Sequence, residues 1–289
     1  MKTFATLSAF SAFGASLLAA GAALLALSAP ARAAADLELW RLDCGSVMVK
    51  DLSSFSDTFA YAGQTRTLTD SCYVIRHGAD YMLWDTGLPA ALIGKAPDLT
   101  QPLAPSLTAD IPAQLQKIGI KPEQIGIVGI SHNHFDHLGQ ASTFSKATLM
   151  IGAGDWQSLH ENPLPFGVMP ALVQPWMDGK AKVDPVAGDR DVFGDGSVMM
   201  LSMPGHTKGE TALLVHLPKT GPVLLSGDVV HFEEQIANNG VPPFNIDRAE
   251  SLASMDRMNR IARELNARLV VQHDAGDIGK LPAFPASAR

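Results

Sequence analysis

Four side chains able to ligate a metal, His132, His134, Asp136 and His137, fall within six positions of the stretch Ser131-His132-Asn133-His134-Phe135-Asp136-His137-Leu138-Gly139. They follow directly on Ile125-Gly126-Ile127-Val128-Gly129-Ile130, an apolar run that reads as a short buried strand, so the cluster lies where a strand ends. Alternate residues of an extended segment share a face, so His132 and His134 can grip one ion. Asp136 and His137 follow as the chain turns and are free to hold a second ion close by. Zinc favours imidazole nitrogen with some carboxylate oxygen, and a catalytic site keeps one position open for water. A lone histidine in an apolar setting is more often a hydrogen-bonded core residue. Three histidines and an aspartate at this spacing would be costly to bury without a cation. The stretch therefore points to two metals.

Residues 1–33 read as a separate segment. Lys2 gives a positive start, residues 4–27 are uncharged and rich in Ala, Leu, Ser and Gly, and Ala31-Arg32-Ala33 fits a small-x-small cleavage site. This is the pattern of a secretory signal peptide. The run is also long enough for an uncleaved membrane anchor, a reading that its alanine-rich composition and cleavage site oppose. The expected product is a periplasmic or secreted domain, residues 34–289, with no stable membrane anchor. Cleavage after Ala33 removes Lys2 and Arg32 and moves the formal charge from −7 to −9. A net acidic surface lacks the basic footprint that phosphate binding needs, which argues against nucleic acid as a partner. Cys44 and Cys72, the two cysteines, both lie in the exported part. They can pair in an oxidising compartment or remain buried thiols, and neither has metal-site spacing.

Along the mature chain, residues 37–47 alternate as an edge or half-buried strand. Residues 51–67 form an irregular stretch that carries Phe55, Phe59 and Tyr61. Residues 71–76 and 80–87 read as a hairpin turning at His77-Gly78-Ala79, and Asp85 at its far end is placed to hydrogen-bond a ligating histidine. A helix is expected over 111–118, with Pro112 near its start and Gly119 closing it. A strand at 148–151 and a short helix at 153–159 follow the cluster. Residues 162–178 contain Pro163, Pro165, Pro170 and Pro175 among apolar side chains, which suggests irregular structure capping a site or forming a contact in a homodimer. The strand 198–203 runs into Pro204-Gly205-His206, the strand 222–226 into Gly227-Asp228, and the strand 268–272 into His273-Asp274. A further strand at 211–217 and an amphipathic helix at 249–265 complete the order. Four strands thus deliver metal-capable side chains at their ends.

Taken together, His132-x-His134-x-Asp136-His137, Gly205-His206, Gly227-Asp228 and His273 resemble the signature of the metallo-β-lactamase superfamily over about residues 70–275. The resemblance implies an α/β fold, a four-layered αβ/βα sandwich with a dinuclear site at one edge of its two sheets. By that likeness His132, His134 and His206 hold metal one, Asp136, His137 and His273 hold metal two, and Asp228 bridges them. The expected cofactors are two divalent ions, Zn2+ first among them. Asp228 separates the chain from zinc β-lactamases, which carry a cysteine or a non-bridging residue there. The stretch 227–234, Val241-Pro242-Pro243-Phe244 and Gln272-His273-Asp274 are similar to the N-acyl-homoserine lactonase family. His231 stands where the best known members have a tyrosine that holds the lactone carbonyl.

The implied reaction is lactone opening by a hydroxide that two metals generate from a bridging water. Asp136 is the candidate for proton transfer, and His231 for carbonyl hydrogen bonding or leaving-group protonation. His231 reads equally as a structural histidine. Asp274 is assigned to support a ligand from behind, as Asp85 is. The expected substrate is a small lactone or ester with an apolar tail, seated among Phe55, Phe59, Phe166, Met169, Trp176 and Phe244. A broad esterase or phosphotriesterase uses the same two metals, and a β-lactamase is a more distant reading. Outside enzymology, the chain could be a metal-binding or sensing module.

Overall fold

The computed structural model describes residues 36–289, and the expected leader lies outside the described residues. The first sheet is built from β1 (Leu37–Val49), β2 (Arg66–His77), β3 (Asp80–Trp84), β4 (Leu103–Ser106), β5 (Ile125–Ile130), β6 (Thr148–Gly152) and β7 (Val183–Val186). The second holds β8 (Arg190–Asp191), β9 (Val198–Ser202), β10 (Thr211–Leu217), β11 (Gly221–Leu225) and β12 (Arg268–Val270). Six helices accompany them among the described residues: α1 (Ile111–Lys117), α2 (Phe135–Leu138), α3 (Ala153–Ser158), α4 (Gln174–Met177), α5 (Glu233–Asn238) and α6 (Arg248–Glu264).

Strand order is β4-β1-β2-β3-β5-β6-β7 in one sheet and β12-β11-β10-β9-β8 in the other. Leu39, Ile75, Met82 and Trp84 of the first sheet pack against Met200, Leu213, Val215 and Leu225 of the second, forming the central layer contact. The outer face of the first sheet packs Val74, Leu83 and Val128 on Leu115 of α1 and on Trp176 of α4. The outer face of the second packs Leu201, Leu214 and Leu224 on Met255 and Met258 of α6. The result is the expected four-layered α/β sandwich. Each of those two methionines stabilises the α6 contact by about 1.5–3 kcal/mol through burial. Asp247 starts α6 by accepting the Glu250 N–H, and Asp110 starts α1 by accepting that of Ala113.

Direction follows from pairing. β3, β5, β6 and β7 run parallel, as do β11 and β12. The C-terminal ends of β3 and β5 therefore lie side by side in one sheet, and those of β11 and β12 in the other. Crossover connections of this kind leave polar residues at strand exits free of ladder duty.

Several elements differ from the sequence-based expectation. β4 and β7 carry Pro105 and Pro185, which mask a strand pattern, and both stand at sheet edges where a missing N–H is tolerated. β1 is not an open edge, because Ser46–Val49 pair with β4 and Leu39 exchanges backbone hydrogen bonds with Ala288. Within 162–178, a 3-10 turn at Pro170–Val173 leads into α4, with Pro170 and Pro175 each in a first helical turn. Proline costs nothing there, since that N–H has no helical partner. Cys44 and Cys72 are joined by a disulfide between β1 and β2.

Candidate metal centre

β5 ends at Ile130, and the chain then turns into α2, which fans the cluster out in two directions. His132 and His134 meet His206, which arrives on the loop after β9: His206 Nε2 lies 3.2 Å from His132 Nε2 and 3.0 Å from His134 Nδ1. Asp136 and His137, carried by α2, face His273 beyond β12, whose Nε2 is 3.9 Å from Asp136 Oδ2. Asp228, at the exit of β11, stands between the two groups. Its Oδ1 is 3.1 Å from His273 Nε2 and 3.5 Å from His137 Nε2, while its Oδ2 is 3.6 Å from His206 Nε2 and 3.7 Å from His132 Nε2. All seven sequence-assigned ligand candidates thus converge. His132, His134 and His206 form one group whose donor atoms lie within 4.8 Å of one another, and Asp136, His137 and His273 form a second.

The cluster fits a pair of cations. His137 Nε2 and Asp228 Oδ1 are buried without a hydrogen-bond partner, although such atoms are normally satisfied. His206 Nδ1 faces the Asn245 carboxamide oxygen, so the ring keeps its proton there and turns a bare Nε2 lone pair toward His132 Nε2 and His134 Nδ1, both within 3.2 Å, an arrangement suited to a shared cation. Burial pushes His132 and His206 well below the ordinary imidazole range and His134 down to about 4, leaving neutral donors. Around the other group burial acts in the same sense but is outweighed: Asp85 and Asp228 raise His137 well above its usual value, and Asp228 raises His273 to about 9. Asp228 itself, though burial opposes its charge, is held well below the carboxylate range by His273, His231 and His137.

Supporting contacts orient the rings. Asp85 Oδ2 lies 3.0 Å from His137 Nδ1 and its Oδ1 accepts the Ser131 N–H, the placement anticipated for this aspartate. Asn245 Oδ1 is 2.9 Å from His206 Nδ1, and the Thr69 carbonyl is 2.6 Å from His273 Nδ1. Glu210, fully buried, accepts the Asp228 N–H through Oε1 at 2.9 Å and places Oε2 3.2 Å from His132 Nδ1. Sequence reasoning missed Glu210 and Asn245; Glu210 follows His206 by four residues in a turn where an acid looks like any solvated one. Asp274, by contrast, supports no ligand. It caps the turn Ala275–Lys280 by accepting the Gly276 N–H, and accepts the Glu233 N–H.

His231 reaches the centre. Its Nε2 is 3.2 Å from Asp228 Oδ2, and its ring stacks on that of His273 at 5.7 Å. The edges of Phe55 and Phe244 enclose it. Its backbone N–H is fixed by Gln235 Oε1, so the imidazole is held rather than loose.

Of these groups, His134, Asp136, His206, Asp228, His231 and His273 line a cavity of about 580 Å³. Val47, Val49, Leu68 and Leu103 line one wall, and Phe55, Phe166 and Phe244 line the mouth. Of the aromatic mouth expected from sequence, these three are in place. Phe59 is 80% exposed away from the cavity, and Met169 lies on the outer surface. Trp176 is buried in the core, its indole N–H donating to the Ala147 carbonyl, because α4 turns it inward. Among the described lining residues there is neither lysine nor arginine.

The family model described as the metallo-beta-lactamase superfamily matches residues 66–273. An N-acyl homoserine lactonase of a Bacillus species is 26% identical over 257 residues, covering 86% of this chain and 97% of the relative. Among solved structures, an N-acyl homoserine lactone hydrolase with the product N-hexanoyl-L-homoserine at its catalytic metal centre has a TM-score of 0.74 at 23% identity, covering 86% of this chain and 98% of that one. AidC, a dizinc quorum-quenching lactonase, has a TM-score of 0.64 at 17% identity, covering 88% and 90%. These two structural likenesses show a shared fold.

Proposed function

The chain belongs to the metallo-beta-lactamase superfamily, and on that premise we propose that it is a dinuclear metal-dependent hydrolase that opens the ring of N-acyl-homoserine lactones. The observation that carries this reading is the pairing of a seven-residue cluster of ligand candidates with an adjoining, largely apolar cavity that has neither lysine nor arginine among its described lining residues. Anionic substrates such as phosphate monoesters need a cationic clamp, whereas a neutral ring ester with an acyl tail needs only the metals and an apolar wall. Lactonase relatives support the same choice.

His132, His134 and His206 would hold one ion and Asp136, His137 and His273 the other, with Asp228 shared. Two divalent ions there, zinc being the best match to this donor set, would supply Lewis acidity to activate a water and polarise an ester carbonyl. The protein's own groups do the rest. His231, buried beside Asp228 and open to the cavity, is placed to donate a hydrogen bond from Nε2 to a carbonyl or a proton to the departing alkoxide. Asp136 is half-buried at the cavity floor, where a carboxylate can pass a proton. Phe55, Phe166 and Phe244 exclude water from the ring and direct the acyl tail toward Val47, Val49 and Leu103. Export is part of the proposal, supported by the leader-like residues 1–33 and by the disulfide, a bond that persists in oxidising compartments.

The test is hydrolysis by zinc-loaded residues 34–289 of short- and long-chain acyl-homoserine lactones, an aryl ester, an organophosphate triester and a β-lactam, each repeated with Asp228→Ala. Lactone opening that rises with acyl length and is lost in the variant is expected. Inert lactones with brisk triester or β-lactam turnover would leave the metal centre standing and overturn the substrate assignment; a flat acyl-length profile would sink the assigned tail contacts.

A further inference from the structure

Asp155 is fully buried and forms no salt bridge; the nearby Lys208 pairs with Glu161 instead. It sits in the first turn of α3, on neither of the loops that carry ligands, and it receives hydrogen bonds from both. Oδ2 accepts the Asn133 N–H at 3.1 Å and the Thr207 hydroxyl at 2.8 Å; Oδ1 accepts the Gly209 N–H at 2.7 Å. Asn133 is the residue between His132 and His134, and Thr207 is the residue after His206. The Asn133 side chain adds to the joint by donating to the Asp155 carbonyl and to Ser158 Oγ.

The surrounding backbone is packed to match. A Cβ at Gly152 would lie 1.9 Å from the Gly209 carbonyl oxygen, one at Gly154 would lie 2.5 Å from that of Lys208, and one at Gly209 would lie 2.4 Å from the Asp155 nitrogen. Three glycines therefore allow α3 to be pressed against the 206–209 loop, and the Asp155 carboxylate fills the joint. A buried carboxylate is expensive unless its oxygens are satisfied, and here three donors from two loops satisfy it.

We propose that Asp155 is the positioning residue of the His132, His134 and His206 group: it sets the distance between the loop after β5 and the loop after β9, and so the spacing of two ligands from the third. The inference rests on the reading of that group as a metal site. Asp155 touches none of the three rings and acts through Asn133 and Thr207. The other group, Asp136, His137 and His273, takes none of its ligands from the 206–209 loop and should feel the change less.

The carboxamide of Asp155→Asn keeps the shape but replaces one acceptor oxygen with a donor, so at least one of the three donors is left facing another donor. The experiment measures zinc stoichiometry and the two stepwise affinities by chelator competition, together with the visible spectrum of the cobalt-substituted protein, for the wild type, Asp155→Asn, Thr207→Val and the ligand variants His206→Ala and His273→Ala. In Asp155→Asn we expect one site to weaken by about 10- to 100-fold, as for other groups that hold ligands from behind. The cobalt band that fades should be the one missing in His206→Ala, and kcat should fall with KM held. Thr207→Val removes one buried hydrogen bond and should weaken the same site by about 2- to 10-fold, which keeps the test open if the asparagine variant does not fold. Unchanged affinities in a folded variant, or equal weakening of both sites, would overturn the proposal. A wild type that binds fewer than two ions would overturn the reading beneath it as well, and is told apart because the wild type alone reveals it.

Discussion

The imidazoles of the centre divide by charge before any metal arrives. His273 is raised to about 9 by its carboxylate neighbours against the pull of burial, so the metal-free protein holds a proton on it at neutral pH. A folded-state pKa above the ordinary value of about 6.5 contributes stability that is complete below that pH and fades as pH rises through about 9. Zinc binding has the opposite slope, because a ligating ring must first lose its proton. The rise in Tm produced by zinc should therefore grow from pH 6.5 to pH 9, with melts of zinc-free and zinc-loaded protein across that range as the measurement; an increment that shrinks with pH would contradict this account. At this scale the cluster of histidines and aspartates was legible in sequence because histidines two apart at a strand exit have few other uses. Asp155 and Glu210 were not, since an acid's burial depends on which loops close over it, and no local spacing records that.

Among the elements, the proline-rich segment before α4 is tied to the centre more closely than a cap needs to be. Val168 bridges to His134, the Phe135 N–H donates to the Gly167 carbonyl, and Gly167 lies flat against the His134 ring. Gly167 has φ +76°, and a Cβ there would lie 2.6 Å from His134 Cδ2. Gly167→Ala should cost on the order of 1–2 kcal/mol from the left-handed backbone alone, and should displace His134 as well. Zinc retained after dialysis and a urea melt read the two effects; a variant that keeps full zinc and full stability would remove the tie. The strands that carry ligands were readable from apolar runs bounded by Gly, Pro and polar residues. β4 and β7 were hidden by the prolines that edge positions permit, and the inward turn of Trp176 depends on how α4 lies on the first sheet.

For the whole molecule, the centre lies where two sheets meet, and the disulfide ties β1 to β2 within one of them. Cys44 and Cys72 are 28 residues apart, for which loop-closure entropy gives about 3–4 kcal/mol of stabilisation. The double variant Cys44→Ser, Cys72→Ser should lose stability of that order in urea unfolding while binding zinc as before; a loss below about 1 kcal/mol would show that strand pairing alone already restrains the unfolded chain. The four-layered architecture was legible through the recurrence of strands ending in ligands, but the pairing of the cysteines was not, because their proximity depends on the register Leu42↔Cys72 and the bulge at Asp43/Gly45. The mouth of the cavity has one more implication. Phe166 precedes the glycine that lies on His134, Phe244 precedes the asparagine that holds His206, and Phe55 packs edge-on to His231. Laboratory evolution of new substrate scope should thus succeed by exchanging side chains at these three positions and fail by lengthening or shortening their loops, since any shift in main-chain register there would travel directly into the metal centre.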